Sequence, residues 1–496
     1  MFTTIKRLGK LSSIYMLGDI LQKGAAFLLL PLYTIYLTPA DYGIIAITTM
    51  VSSSVVLLLS FGLPGAIQRF HYQISDIEQL QYFYGTLWTF LIIVPGVLIG
   101  LTHFYGEYLF GIVFKQIPFS PYIELSIWKA YFEIAFLTLS LTIFRITERA
   151  YQYIFLNLLT FFLTATFTIW YIILNDEAAL GVVKAQFYAT AFVSLISCYF
   201  ILKEIRFSFT WLRLKDAFAY SLPLIPHFIA HWGLGLSDRA ILERYVSMNQ
   251  IGIYSLGYQF GLAYQLLNTS INNALLPMFS RAAKDEQEYG LLPRIATYYI
   301  GVITFIGLAV ALLTEDIILL LIPQSYHGST QIIPWVVAGY LMMGLYCIPM
   351  NWLALTMGKT SIIPIITLSS AVVNIGGNLI FVPRFGIIAA AINTLVGYGV
   401  LFGLLYLYSQ WIKVFPYQYG RICKIFLAIL LLFIGGRVVA QFTPFINLGL
   451  HILILSLCPI LLTLMQFWSE EEKEQFFSLA QPIYQKYMKT ERRKDL

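Results

Sequence analysis

Two pairs of opposite charges stand at helical spacing within apolar sequence: Asp19 with Lys23, and Lys129 with Glu133. At i,i+4 on a helix the members of each pair lie side by side. Charged groups at bilayer depth are costly, and those that persist serve function or pair with one another. In the first stretch Ser12, Tyr15, Asp19, Gln22, Lys23 and Ala26 share one face, and that face cannot look at lipid. Two chemistries fit it: a neutralised ion pair that locks two helices together, or a cavity wall whose lysine meets an anionic substrate. The same alternatives hold for Ser126, Lys129, Glu133 and Ser140, where the structural pair is the simpler reading because no second feature points to that helix. Asp19 and Glu133 are the candidates for coupling to a proton or sodium gradient.

A proline-interrupted segment, Ser221-Leu-Pro223-Leu-Ile-Pro226-His227, leads into His231, Gly235 and Asp238-Arg239. His227, His231 and Gly235 align at i,i+4, so freed carbonyls and imidazoles there suit a polar path. Two histidines at that spacing, with no zincin glutamate and no further ligand, do not define a metal site, and no cofactor motif accompanies them. Tyr254, Tyr258, Gly261, Gln265, Asn268 and Asn272 form one polar stripe, and Thr367, Ser370, Asn374 and Asn378 another. Such stripes act as interhelical glue, and they suit sugar hydroxyls equally well. Arg69 and Arg281 stand at near-equivalent places 212 residues apart, fit to attract a lipid pyrophosphate or to act as ordinary orientation signals. There is no P-loop, no G-x-S-x-G and no pair of acids on a long external loop. Catalytic residues and ATP hydrolysis by this chain are therefore not expected.

The elements that must position these groups are membrane helices. Of the 496 residues 59% are hydrophobic and 11% charged, and the mean hydropathy is +0.75, outside the range of soluble domains. A spanning helix needs roughly 20 apolar residues. Runs of that length fall near 12–37, 42–66, 81–103, 121–144, 151–174, 180–202, 217–240, 250–272, 292–314, 331–353, 361–382, 386–408, 421–441 and 446–468, which predicts an all-α polytopic fold of about fourteen spans. The basic Met1–Lys10 segment with the run after it reads as a first span rather than a cleaved leader. Of the 31 lysines and arginines, 23 fall in one set of alternate loops, six in the other, and Lys23 and Lys129 inside spans. That asymmetry predicts cytoplasmic termini. It also explains the net charge of +6 by orientation in the bilayer, with no nucleic-acid partner. Cys198, Cys347, Cys423 and Cys458 lie in or beside apolar runs and read as buried thiols.

The two halves echo each other. Leu37-Thr-Pro-Ala-Asp-Tyr-Gly43 aligns with Val246-Ser-Met-Asn-Gln-Ile-Gly252 at an offset of 209, and Leu180-Gly181 through Ala185 with Phe385-Gly386 through Ala390 at 205. A duplicated six-helix bundle follows, its copies related by an axis along the membrane normal with a substrate path between them. The expected units are lobes at 1–215 and 216–415, an appended helix pair at 416–468, lipid-facing or partner-binding, and a cytoplasmic tail at 469–496 in which Glu470–Glu474 form a short helix.

Lys23-Gly24, Phe27-Leu-Leu-Leu-Pro31-Leu-Tyr33 and Leu37-Thr-Pro39-Ala-Asp-Tyr42-Gly43 closely resemble the opening of bacterial lipid-linked oligosaccharide flippases. These form the polysaccharide transport family of the multidrug/oligosaccharidyl-lipid/polysaccharide exporter superfamily. Ser237-Asp238-Arg239, Gly252-Ile-Tyr254-Ser255 and Pro383-Arg384-Phe385-Gly386 extend the resemblance over roughly residues 10–410. It implies alternating access in the bacterial inner membrane, with an undecaprenyl-pyrophosphate-linked oligosaccharide as cargo for a surface polysaccharide such as O-antigen or lipopolysaccharide. Other polysaccharide-assembly proteins are implied as partners. It also implies a cavity lined mainly by the first, second, seventh and eighth spans, which assigns Lys23, Arg69 and Arg239 to the substrate, with Asp19 and His231 nearby. A cation-coupled multidrug antiporter of the same superfamily and a membrane glycan polymerase are the competing readings. The first should offer deep acids with little positive charge, and the second a long external loop.

Overall fold

The structure, a computed structural model, describes residues 27–283, 285–439 and 442–474. Among these residues there is no strand, and the protein is a polytopic all-α membrane protein. Helix α1 is Leu30–Tyr36; α2, Pro39–Leu59, and α3, Leu63–His71, meet at Gly62, whose φ of 67° makes the bend. Helices α4 (Ile77–Val113), α5 (Phe119–Ile146), α6 (Ala150–Leu174) and α7 (Ala179–Glu204) follow. Next, α8 (Trp211–Ser221) and α9 (Ile225–Tyr245) join through a 3-10 turn at Leu222–Leu224, and α10 is Met248–Arg281. Helices α11 (Glu286–Leu321) and α12 (Ile333–Thr356) precede a helical run, Ile363–Ile412. Gly386, at φ 62°, breaks that run into α13 (363–385) and α14 (387–412). Helices α15 (Tyr419–Val439) and α16 (Pro444–Leu464) complete the described bundle.

Thirteen of the fourteen apolar runs thus hold described helices over most of their length, and α1 covers the end of the first. Asp19 and Lys23 lie outside the described residues. Ten described helices are long and apolar enough to cross a membrane, counting Ile363–Ile412 once. The long helices α9 and α10 carry more polar side chains than these, among them His227, His231, Asp238 and Arg239 on α9 and Gln265, Asn268 and Asn272 on α10. Several helices overrun their predicted ends, so the loop expected near 104–120 shrinks to 114–118 and that near 315–330 becomes a 3-10 turn, Gln324–Gln331.

The cysteines are less uniform than expected. Cys458 is buried and Cys198 and Cys347 half-buried, but Cys423 is exposed, on a helix whose outward face meets lipid. The pair α15–α16 is fastened to α11 by polar bonds, buried His451 Nδ1 lying 2.5 Å from Asp316 Oδ2 and Arg437 donating to Glu315 at 2.5 Å, while His451 Nε2, 3.1 Å from Gly436 O, ties α16 to α15.

Beyond α16 the chain is helical at 470–474 and returns to the bundle through Glu472. Arg421 donates to its two oxygens at 3.1 and 2.9 Å, and the Ser469 N–H at 2.8 Å. Burial pushes this carboxyl up, but hydrogen bonds from Tyr298, Ser469 and Arg421 outweigh burial and hold it below the ordinary range. A carboxyl so lowered stabilises the fold above its unfolded-state pKa, and the contribution vanishes as pH falls through the folded value. Glu472→Gln is therefore expected to lower Tm at pH 7, with the gap to the parent protein closing below about pH 4. Thermal unfolding across that range checks it; a pH-independent gap would contradict it.

At one end of the bundle the two halves meet reciprocally. Thr38 caps α2 through a capping box with Asp41, and Ser247 caps α10 by accepting from the Gln250 N–H, which explains why these two stretches echo in sequence. A Cβ on Gly43 would lie 2.3 Å from Met248 O and 3.1 Å from Gly252 N; on Gly252 it would lie 1.7 Å from Pro39 O and 3.1 Å from Gly43 N. Each partner stands 209 residues from its counterpart, so the contact is self-complementary, as around a two-fold axis. The second echo is looser: Gly386 breaks a helix at positive φ, whereas Gly181 begins α7 packed against Tyr171.

Candidate functional site

Inside that seam a cavity of about 380 Å³ lies among α1, α2, α5, α6, α7, α9 and α10. Its charged lining groups are Lys129, Glu133 and Arg239, and its wall is otherwise apolar or neutral and hydrogen-bonding, with Thr49, Asn157, Thr160, Gln186, Ser255 and Gln259 among the latter. Neutral donors and acceptors on a concave wall can take up hydroxyl groups.

Helix α5 brings its charges here through a change of winding. Residues Glu133–Leu137 form a π-turn, and Thr138 Oγ1 donates to Glu133 O at 2.9 Å. Single π-turns inside α-helices recur at functional sites because they shift one face relative to the rest. Lys129 Nζ stands 3.7 Å from Glu133 Oε2, with 20% and 34% of the two side chains exposed, and reaches across to Ser52 Oγ on α2 at 3.3 Å. The pair is open to the cavity, and an anion can compete with Glu133 for the ammonium.

Arg239 is the opposite case. Its side chain is 6% exposed and that of Asp238 is 3%, with Nη1 at 3.0 Å from Asp238 Oδ1 and 3.2 Å from Gly235 O. Tyr254 donates to the other Asp238 oxygen, and the Arg239 guanidinium lies 4.3 Å from the centroid of Tyr258, a cation–π contact. Tyr340 and Tyr398 extend this buried box. Sequence counting places Arg239 in an external loop; the structure places it within α9, and its charge is balanced before any ligand arrives.

Of the residues singled out in sequence, Glu133 and Arg239 come together with Lys129. Arg69 does not join them: it is exposed at the end of α3, 4.5 Å from the Tyr220 ring. His231 is exposed on α9 and His227 half-buried, and neither lines the cavity. Among the described residues no cluster of three metal-ligating side chains occurs. Arg281 pairs with Glu288 at 2.9 Å. The polar stripes resolve largely as glue: Asn268 bonds Tyr340 O and Tyr299, Asn272 accepts from Asn351, and Asn374, Asn378 and Asn393 bond one another. Ser52 and the loop-binding Glu243 went unread, the first a serine in apolar sequence and the second an acid beside Arg244.

A family model described as polysaccharide biosynthesis protein matches residues 36–331. The chain is 23% identical over 333 residues to Lsg locus putative protein 1 of Haemophilus influenzae, covering 64% of this chain and 77% of that protein. It is 22% identical over 394 residues to an uncharacterized membrane protein of the same organism, covering 75% and 90%. Among solved structures, the fold is similar to the lipid II flippase MurJ in an inward closed conformation, with a TM-score of 0.71 at 14% identity over 90% of this chain and 97% of that one. It is also similar to an inward-facing multidrug resistance MATE family transporter of the MOP superfamily, with a TM-score of 0.58 at 16% identity over 81% and 95%.

Proposed function

The chain belongs to the polysaccharide biosynthesis protein family, and on that premise we propose that it is a flippase. Its cargo is an undecaprenyl-pyrophosphate-linked oligosaccharide, carried from the cytoplasmic to the periplasmic leaflet of the bacterial inner membrane by alternating access. The observation that carries this reading is the cavity-exposed Lys129–Glu133 pair amid neutral hydrogen-bonding groups. The pyrophosphate competes with Glu133 for Lys129, the sugar hydroxyls meet the threonines, Asn157 and the glutamines, and the polyprenyl tail stays in lipid. The family resemblance assigns Lys23 to the cargo with Asp19 nearby, and Glu133 or Asp19 carries the coupling ion. Arg69 serves orientation at the cytoplasmic end, and Arg239 holds the wall in shape. Lobes at 1–215 and 216–415 rock about the axis between Gly43 and Gly252, with 416–468 as an appended pair and 469–496 as the tail. The charge asymmetry of the loops makes the Gly43–Gly252 end external, so the cavity faces the cytoplasm in this conformation.

Lys129→Met is expected to cut periplasmic exposure of the lipid-linked glycan by at least about tenfold, the loss of one charge-assisted contact, with the protein still present in the membrane. A leaflet-accessibility assay in cells depleted of the parent protein measures it. Unchanged glycan export, with loss of cation efflux instead, would favour the multidrug antiporter.

A further inference from the structure

The cavity is sealed at the Gly43–Gly252 end by more than the crossing of α2 and α10. The loop 114–118 of the first half reaches onto the end of α9 in the second half, where the Glu243 side chain is fully buried. Glu243 accepts three successive backbone N–H groups: from Lys115 at 2.7 and 2.9 Å, from Gln116 at 2.5 Å and from Ile117 at 3.3 Å. The Gln116 side chain adds donations to Glu243 O and, at 2.8 Å, to Val246 O. The corresponding turn of the second half, Gln324–Gln331, reaches back onto the end of α1, where Tyr326 donates to Leu37 O at 2.9 Å. Leu37 and Val246 are themselves 209 residues apart. Each half therefore grips the carbonyl that ends the other half's leading helix, and one grip carries a buried carboxylate.

We propose that these two contacts, Glu243 on loop 114–118 and Tyr326 on Leu37, are the paired latches of the external gate, and that Glu243 is the stronger. The assignment of this end as external rests on the reading given under Proposed function. A carboxylate bound to three N–H groups holds them by charge-assisted bonds, while the phenol supplies one neutral bond. The gate opens when loop 114–118 leaves Glu243, and no covalent change is involved. Glu243 touches no cargo and acts as a positioning residue that sets how often the cavity faces outward.

The test is cysteine accessibility in the full-length protein. Cys198, Cys347, Cys423 and Cys458 are replaced by alanine, and Thr49, an exposed cavity residue, is replaced by cysteine. A membrane-impermeant maleimide is applied to intact spheroplasts and to inverted vesicles. Thr49→Cys alone should label mainly in inverted vesicles. Glu243→Ala should raise labelling in spheroplasts at least about tenfold, and Tyr326→Phe by a smaller factor. Gln116→Ala serves where Glu243→Ala fails to accumulate. Spheroplast labelling left at the parent level by Gln116→Ala and Tyr326→Phe in well-inserted protein overturns the latches. Rises confined to inverted vesicles reverse the orientation and leave the latches standing. Opening without any effect on glycan export faults the cargo and leaves the latches standing.

Discussion

Arg239→Met should remove most of the folded protein from the membrane. The substitution leaves Asp238 buried beside Tyr254 with its charge uncompensated, and breaking one side of such a pair costs about 3–5 kcal/mol, a large part of the stability of most folds. The double variant Asp238→Asn/Arg239→Met should recover much of the loss, because removing both charges removes the desolvation penalty with the attraction. Fluorescence-detected size-exclusion of solubilised membranes would show both results. An Arg239→Met protein as abundant and monodisperse as its parent would mean that Asp238 is satisfied some other way, and that Arg239 is free to serve a ligand.

The second large effect lies at the crossing of α2 and α10. Gly252→Ala places a methyl 1.7 Å from Pro39 O, and Gly43→Ala places one 2.3 Å from Met248 O. The obstacle in each case is backbone, which cannot rotate away as a side chain would. Overpacking of this kind costs at least about 1–3 kcal/mol, and Gly252→Ala should cost more than Gly43→Ala. Gly100, with nothing within 4 Å of its added carbon, is the control: there alanine should be neutral or stabilise the helix by up to about 1 kcal/mol. Thermal unfolding in detergent gives the ranking, and equal effects at Gly252 and Gly100 would contradict the closed seam.

Most of the fold was legible in sequence because lipid imposes a length and an apolar composition on each spanning helix. The capping motif at Thr38 and Ser247 and the glycines at 43 and 252 were legible as a repeat, and their reciprocal contact gives that repeat a physical cause. Spacing made the Lys129–Glu133 ion pair legible, but not its place on a cavity wall, because no second feature in the sequence points to that helix. Arg239 was legible as a cargo candidate but not as a buried, paired residue of α9, because Asp238-Arg239 and Glu243-Arg244 lower local hydropathy and mimic the end of a span. Glu243 was not, because its partners lie about 126 residues away in a five-residue loop. The stripe through Asn374 and Asn378 reads in sequence as glue or as sugar site, and only the partner Asn393 separates the two.

A flippase of the kind proposed moves a pyrophosphate-linked glycolipid through the cavity at Lys129. The direct measurement is transfer of a fluorescent undecaprenyl-pyrophosphate oligosaccharide between leaflets of proteoliposomes holding only this protein, with an impermeant quencher reporting the outer leaflet. Transfer that exceeds protein-free liposomes and collapses with Lys129→Met is the predicted result. Transfer indistinguishable from protein-free liposomes, or undiminished by Lys129→Met, would contradict it.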